Sequence, residues 1–232
     1  MSWFNQLFCS GELYQIKELE SRIENLQEEK IVEGDMEAFF NNKYPKTDIF
    51  YAGRSTPSIH GNVKLDVRNF FNLYDAQVRD VANNIATEDT DDKTALNCLS
   101  WVIDNIKYVL DTTKGATEYW QFSYETLKFK TGDCEDGAIL LANLMISKGI
   151  PYWKIRLTAG SVKGGGHAYL VYFCVAEERW VILDWCYWPN KLPINTRKDY
   201  KDEDNYYGVW FSWNTKYAYS KGLNTDAKAI LK

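Results

Sequence analysis

Apolar positions along this chain change their period at Pro151, with helical spacing before it and alternation after it. Between 65 and 86, Val67, Phe70, Phe71, Tyr74, Val78, Val81 and Ile85 fall on one stripe and predict a single amphipathic helix. Ala95, Leu99, Val102, Ile103, Ile106 and Val109 predict a second over 92–110, capped by Asp91 or Asp92. A small helix around Tyr124–Phe129 follows. The apolar run from Ala138 to Ile146 then predicts a helix opening at Cys134. Asp133 is its N-cap, with Asp136 reaching back; Gly149 suits the left-handed position past its end, and Pro151 stops it. Beyond Pro151, Trp153–Thr158, Ala168–Cys174 and Trp180–Asp184 read as strands, the last two an antiparallel pair. Helices first and strands second is the α+β pattern, helices packed on an antiparallel sheet. The aromatic tail, 190–232, reads as coil and a short edge strand covering that sheet.

The N-terminal region has a different pattern. Ile16, Leu19, Ile23 and Leu26 repeat at 3-4-3 spacing among Glu and Lys, a seam of about two heptads, short of the three to four that define a coiled coil. Residues 1–34 are therefore expected to form a helical arm, packed on its own domain or pairing copies of the chain, and residues 35–232 the main domain. His60 falls in a loop-rich stretch over 41–63 with Pro45, Gly53, Pro57 and Gly61.

Charge and cysteine usage narrow the function classes. A net charge of −5 without long basic runs argues against nucleic-acid binding. No apolar run approaches membrane-spanning length, and Met1–Cys9 lacks the basic and apolar regions of a signal peptide. Five cysteines without staple-like or zinc-finger spacing suggest free thiols in a reducing compartment, hence a cytoplasmic location, or a virion-associated one if the chain is viral. Cys134, in the first turn of its helix, meets free backbone N–H groups and the positive end of the helix dipole. His167 opens a strand 33 residues on, and Asp184 ends the next strand, 17 residues later. A cysteine, a histidine and an aspartate so placed are a nucleophile, a base and its orienter. Asp133, Glu135 and Asp136 oppose a thiolate, so they cap backbone N–H groups, pair with Arg or Lys, or hold a cation.

Trp120-Gln121, Glu125-Thr126-Leu127, Gly132-Asp133-Cys134-Glu135-Asp136, Gly149-Ile150-Pro151, Arg156, Gly160, His167-Ala168 and Trp180 with Leu183-Asp184 match in order and spacing. Over roughly 95–190 the chain resembles the transglutaminase-like superfamily, and its acidic cysteine motif looks most like the bacterial and viral transglutaminase-like cysteine peptidases. The resemblance implies a papain-like fold, a Cys134–His167–Asp184 triad, and oxyanion or substrate contacts from Gln121 and Trp120. It implies no obligatory cofactor, with calcium ligands at Asp133 and Glu135. The expected function is a cysteine peptidase or amidase acting on a protein or peptide substrate. The rivals are a protein-crosslinking transglutaminase and a structural component, for example of a bacteriophage virion, that keeps the fold.

Overall fold

The computed structural model describes residues 15–23, 34, 36–39, 46–47, 50–54, 63–114 and 118–219. The chain divides into two compact units, Met1–Tyr44 and Pro45–Lys232. In the first, residues 15–23 are helical and Ile16, Leu19 and Ile23 are exposed. Leu26, Met1–Cys9 and His60 lie outside the described residues. No described helix is long and apolar enough to cross a membrane.

The second unit is built on one antiparallel sheet. Its strands are β1 (Lys46–Thr47), β6 (Ile155–Val162), β7 (Gly165–Cys174), β8 (Arg179–Leu183), β9 (Tyr206–Trp213) and β10 (Ala218–Tyr219), in the order β1-β10-β9-β6-β7-β8. Two small pairs stand apart: β2 (Phe50–Arg54) with β3 (Val63–Asp66), and β4 (Lys107–Tyr108) with β5 (Thr131–Gly132). The helices are α1 (Ala76–Asn84), α2 (Asp91–Asn105), α3 (Ser123–Phe129) and α4 (Cys134–Ser147). α4 is buried from Glu135 to Met145 and is the hub: it packs on β6 and β7 and is met by α1, α2 and α3. A helix that is apolar all round belongs inside a core. This is the α+β arrangement of helices on an antiparallel sheet that the two periods predict.

Three elements differ from the sequence reading. The single helix over 65–86 is instead β3, a 3-10 turn over Val67–Phe70, and α1. Two aspartates break it: Asp66 accepts the Arg68 N–H, and Asp75 accepts the N–H groups of Gln77 and Val78, each offering the backbone a cap in place of a continuing helix. Tyr74, placed on the buried stripe by periodicity, is 89% exposed in the gap. α2 is capped by the Thr90 hydroxyl on the Lys93 N–H, not by Asp91 or Asp92. Asp92 accepts the Tyr172 hydroxyl at 2.7 Å and the Cys174 thiol at 3.0 Å. The tail supplies β9, which is no edge strand: it lies between β6 and β10. Where β9 passes β6, a Cβ on Gly160 would stand 1.9 Å from the Gly208 carbonyl oxygen, so only glycine admits that approach.

An ion pair fixes the chain ahead of α4. Arg54 donates to both Glu125 oxygens, at 2.8 and 2.9 Å, and to the Trp120 carbonyl at 3.0 Å. Glu125 also accepts the Phe122 N–H at 2.8 Å and the Tyr119 hydroxyl at 3.0 Å. Burial opposes the carboxylate, but the Arg54 bonds and the Phe122 N–H win and hold Glu125 below its ordinary range. A depressed carboxyl contributes stability that is present above the unfolded value of about 4.3 and is lost as pH falls through the folded one. Glu125→Gln is expected to cost about 2 kcal/mol at pH 7. The gap in urea midpoints between wild type and variant should close in acid; a gap unchanged down to pH 3 would contradict this.

Candidate active site

Asp133 and Cys134 stand at the start of α4, directly after β5, whose parallel pairing places Gly132 across from Tyr108. Asp133 is the N-cap residue, as expected, and Asp136 three residues on reaches back to it as capping-box partner. One Asp136 oxygen accepts the Asp133 N–H at 3.1 Å and the Gln121 side-chain amide at 2.7 Å, and the other accepts the Gln121 backbone N–H at 2.7 Å. Gln121 is thus committed to anchoring α4, with one amide hydrogen left. The single indole N–H of Trp120 goes to Glu118 at 2.9 Å. With the indole N–H on Glu118, an oxyanion role for Trp120 requires that bond to open. The first-turn N–H of Cys134 and the remaining amide hydrogen of Gln121 are the candidate donors.

His167 lies in β7, and its Nε2 meets Asp184 Oδ2 at 2.7 Å with both side chains buried. The register explains the meeting. Cys174 pairs with Arg179 and Leu170 with Leu183 across a four-residue connection, so the next step sets Asp184 opposite Tyr169. Tyr169 shares the face of His167, two residues away, so the carboxylate leans one diagonal step to the ring. Asp184 is held from every side. Its Oδ1 accepts the N–H groups of Cys186 and Tyr187 at 3.0 and 3.1 Å, and Oδ2 also accepts the Tyr206 hydroxyl at 2.7 Å. Burial works against the charge, yet His167, the Cys186 N–H and Tyr206 keep this carboxyl below its ordinary range.

The Cys134 sulfur lies against the backbone N–H of Ala168, the residue after His167. The helix start and the strand thereby place Cys134 beside the residue that follows His167. The thiol itself is protonated at rest and donates to Glu135 Oε2 at 3.2 Å. Burial first, then the Glu135 and Asp133 carboxylates, push it well above its ordinary range, while the Ala168 N–H pulls the other way. Burial and the Asp136 and Asp133 carboxylates likewise raise Glu135, and burial with Asp133 raises Asp136 against the N–H groups it accepts. Of the other described cysteines, Cys98 is pushed to about 12 by burial and Cys174 to about 11 by burial and Asp92.

The acidic group has oxygens to spare. Asp133 Oδ1, Glu135 Oε1 and Gln121 Oε1 are buried without a hydrogen-bond partner, and carboxylate oxygens of Asp111, Asp133 and Asp136 lie within 4.8 Å of one another. Buried carboxylate and amide oxygens are the kind of donor a hard cation takes.

Several contributors were not identified by sequence reasoning. Trp185 presses on the first turn of α4 and donates to the Cys134 carbonyl at 3.0 Å. A Cβ on Gly137 would stand 2.1 Å from its ring, so the glycine closing Gly132–Gly137 makes room for that tryptophan. A lone glycine in the first turn of an otherwise apolar helix was the available signal. Tyr206 and Asp111 had none, since each reaches the site through chain reversals that the local pattern does not encode.

Residues 79–185 match the family model described as the Transglutaminase-like superfamily, which bears out the resemblance. Over 91 residues the sequence is 33% identical to the UPF0252 protein PH1321 of Pyrococcus horikoshii, covering 39% of this chain and 26% of that protein. The chain thus spans about a quarter of the length of that relative. Among solved structures, LapG of Legionella pneumophila is 18% identical, with 71% of this chain and 93% of that one covered and a TM-score of 0.49. Its calcium-bound form is 19% identical over 62% of this chain and 86% of that one, with a TM-score of 0.44.

Proposed function

We propose, for a chain whose residues 79–185 match the transglutaminase-like superfamily, that it is a cysteine peptidase or amidase working through Cys134, His167 and Asp184. The observation that supports this most is the buried 2.7 Å contact of His167 Nε2 with an Asp184 held by three further donors, beside a cysteine at a helix start. Bonding to Asp184 puts the ring proton on Nε2 and leaves the Nδ1 lone pair to act as base. Because the thiol is held protonated, its proton leaves to Nδ1 as the sulfur attacks, rather than beforehand. Sulfur adds to the carbonyl carbon of a peptide or glutamine side-chain amide, and the oxyanion is met by the Cys134 N–H. The imidazolium then gives its proton to the departing amine, leaving a thioester on Cys134. Water, activated by the neutral imidazole, releases the acid; an amine in its place gives cross-linking. The partner is a protein or peptide substrate.

Peptides offered with and without a primary amine, followed by mass spectrometry, test the reading. Hydrolysed product that depends on Cys134 supports it. An amine adduct as the main product makes the protein a transglutaminase, and no turnover on any peptide leaves a scaffold that keeps the fold.

Asp133, Glu135 and Gln121 are the residues that would hold a calcium ion, whose charge would offset the carboxylates that now oppose ionisation of the thiol. Added calcium is expected to raise the melting temperature, since a ligand at a hundredfold excess over its dissociation constant stabilises by about 2.7 kcal/mol. A chelator should reverse the shift. No change on chelation or on adding calcium would confine these carboxylates to holding the start of α4.

A further inference from the structure

Among the described residues, Cys186 is the one thiol that the proposed reaction leaves without work although it borders the same histidine. A ring nitrogen of His167, a carboxylate oxygen of Asp184 and the Cys186 sulfur lie within 4.8 Å of one another. We propose that these three side chains form a binding site for a zinc ion, a site separate from the hard-cation oxygens on the Asp133 side. The donor set is nitrogen, oxygen and sulfur, which suits a borderline-soft tetrahedral ion and not calcium or magnesium. Tetrahedral zinc at its usual bond lengths sets its ligands about 3.3–3.8 Å apart. From the 4.8 Å bound the Cys186 sulfur needs to close by no more than about 1–1.5 Å, while His167 Nε2 and Asp184 Oδ2, now 2.7 Å apart, must open by about 0.6 Å to admit the ion between them, both within reach of side-chain rotation.

The surroundings support the assignment. His167 and Cys186 both line a cavity of about 330 Å³ bounded also by Tyr108, Tyr187 and Gly164–Gly166, so an ion has an entry path and a fourth position for water. The carboxylate has its orienting partners in place: Tyr206 donates to Oδ2, and the Cys186 and Tyr187 N–H groups donate to Oδ1. The Tyr187 ring, 5.3 Å from the His167 ring, limits its motion. On binding, zinc–nitrogen, zinc–oxygen and zinc–sulfur bonds form, the thiol proton leaves to solvent, and the proton on Nε2 moves to Nδ1. No electron changes hands.

Metal binding stands without the peptidase reading; only its consequence rests on it. With Nε2 on the metal and the proton on Nδ1, His167 has no lone pair for the Cys134 proton. Zinc would then switch the site off reversibly, and a chelator would restore it.

Cobalt(II) in place of zinc gives a readout independent of activity, because a thiolate ligand produces a near-ultraviolet charge-transfer band. The band is expected to saturate at micromolar cobalt in wild type and in Cys134→Ala. It should be lost in Cys186→Ser and weakened at least tenfold in affinity in His167→Ala. In wild type, zinc should slow iodoacetamide alkylation of Cys186 at least tenfold, a measurement that needs no variant to fold. A band that survives in Cys186→Ser, a band lost in Cys134→Ala, no saturable band at all, or an unchanged alkylation rate would each overturn the proposal. Failure of peptide turnover would bear on the peptidase reading alone.

Discussion

Cys134→Ala is expected to lower peptide turnover by about 10⁴-fold or more while leaving the fold intact, because it removes the sulfur that carries the acyl group in the proposed mechanism. What remains is the modest acceleration that positioning and backbone donors give a bound substrate without a nucleophile. The structure argues against an accompanying loss of stability. Cys134 is half-buried, and its sulfur donates one weak bond to a Glu135 already crowded by the Asp133 and Asp136 carboxylates. A melting temperature close to wild type, together with lost turnover, is the expected pair of results. Turnover within tenfold of wild type would move the chemistry elsewhere.

The second large effect is expected from Asp184→Asn. An asparagine must set its oxygen toward the Cys186 and Tyr187 N–H groups, since its amide nitrogen cannot accept from them. Its NH₂ then faces His167 Nε2 and the Tyr206 hydroxyl, where the carboxylate oxygen stood. Two donors cannot share that contact, so the imidazole turns its lone pair to the amide and carries its proton on Nδ1. The base is lost although every atom stays in place. A fall of about 10³–10⁴-fold in kcat with little change in KM is expected. A fall of less than tenfold, or one that appears only in KM, would make Asp184 a structural residue.

Local signals were enough for the elements that bring the cysteine and histidine in. The run after Cys134, with Gly149 and Pro151 behind it, is written in one helical period and needs no distant partner to be read; Gly149 has φ +90°. The pairing of β7 with β8 follows from one short connection, and the face of Asp184 follows from its length. The failures have two causes. The aspartates at 66 and 75 sit on a stripe with helical spacing, and their side chains cap the backbone locally, which hydrophobic periodicity cannot register. β9 and Tyr206 depend on a long return of the chain to β6, so an aromatic-rich segment read as cover lies inside the sheet.

One measurement tests the central claim most directly: covalent labelling by a peptidyl electrophile that mimics the scissile amide, mapped by mass spectrometry in wild type and in His167→Ala. In the proposed mechanism the sulfur gives its proton to His167 during the attack, so labelling is expected to need both a substrate-like group in the cleft and the imidazole. Cys134 modified ahead of Cys98, Cys174 and Cys186, with the rate falling at least a hundredfold in His167→Ala, is the predicted result. First labelling at Cys98 or Cys174, or a Cys134 rate unchanged without the histidine, would contradict the account.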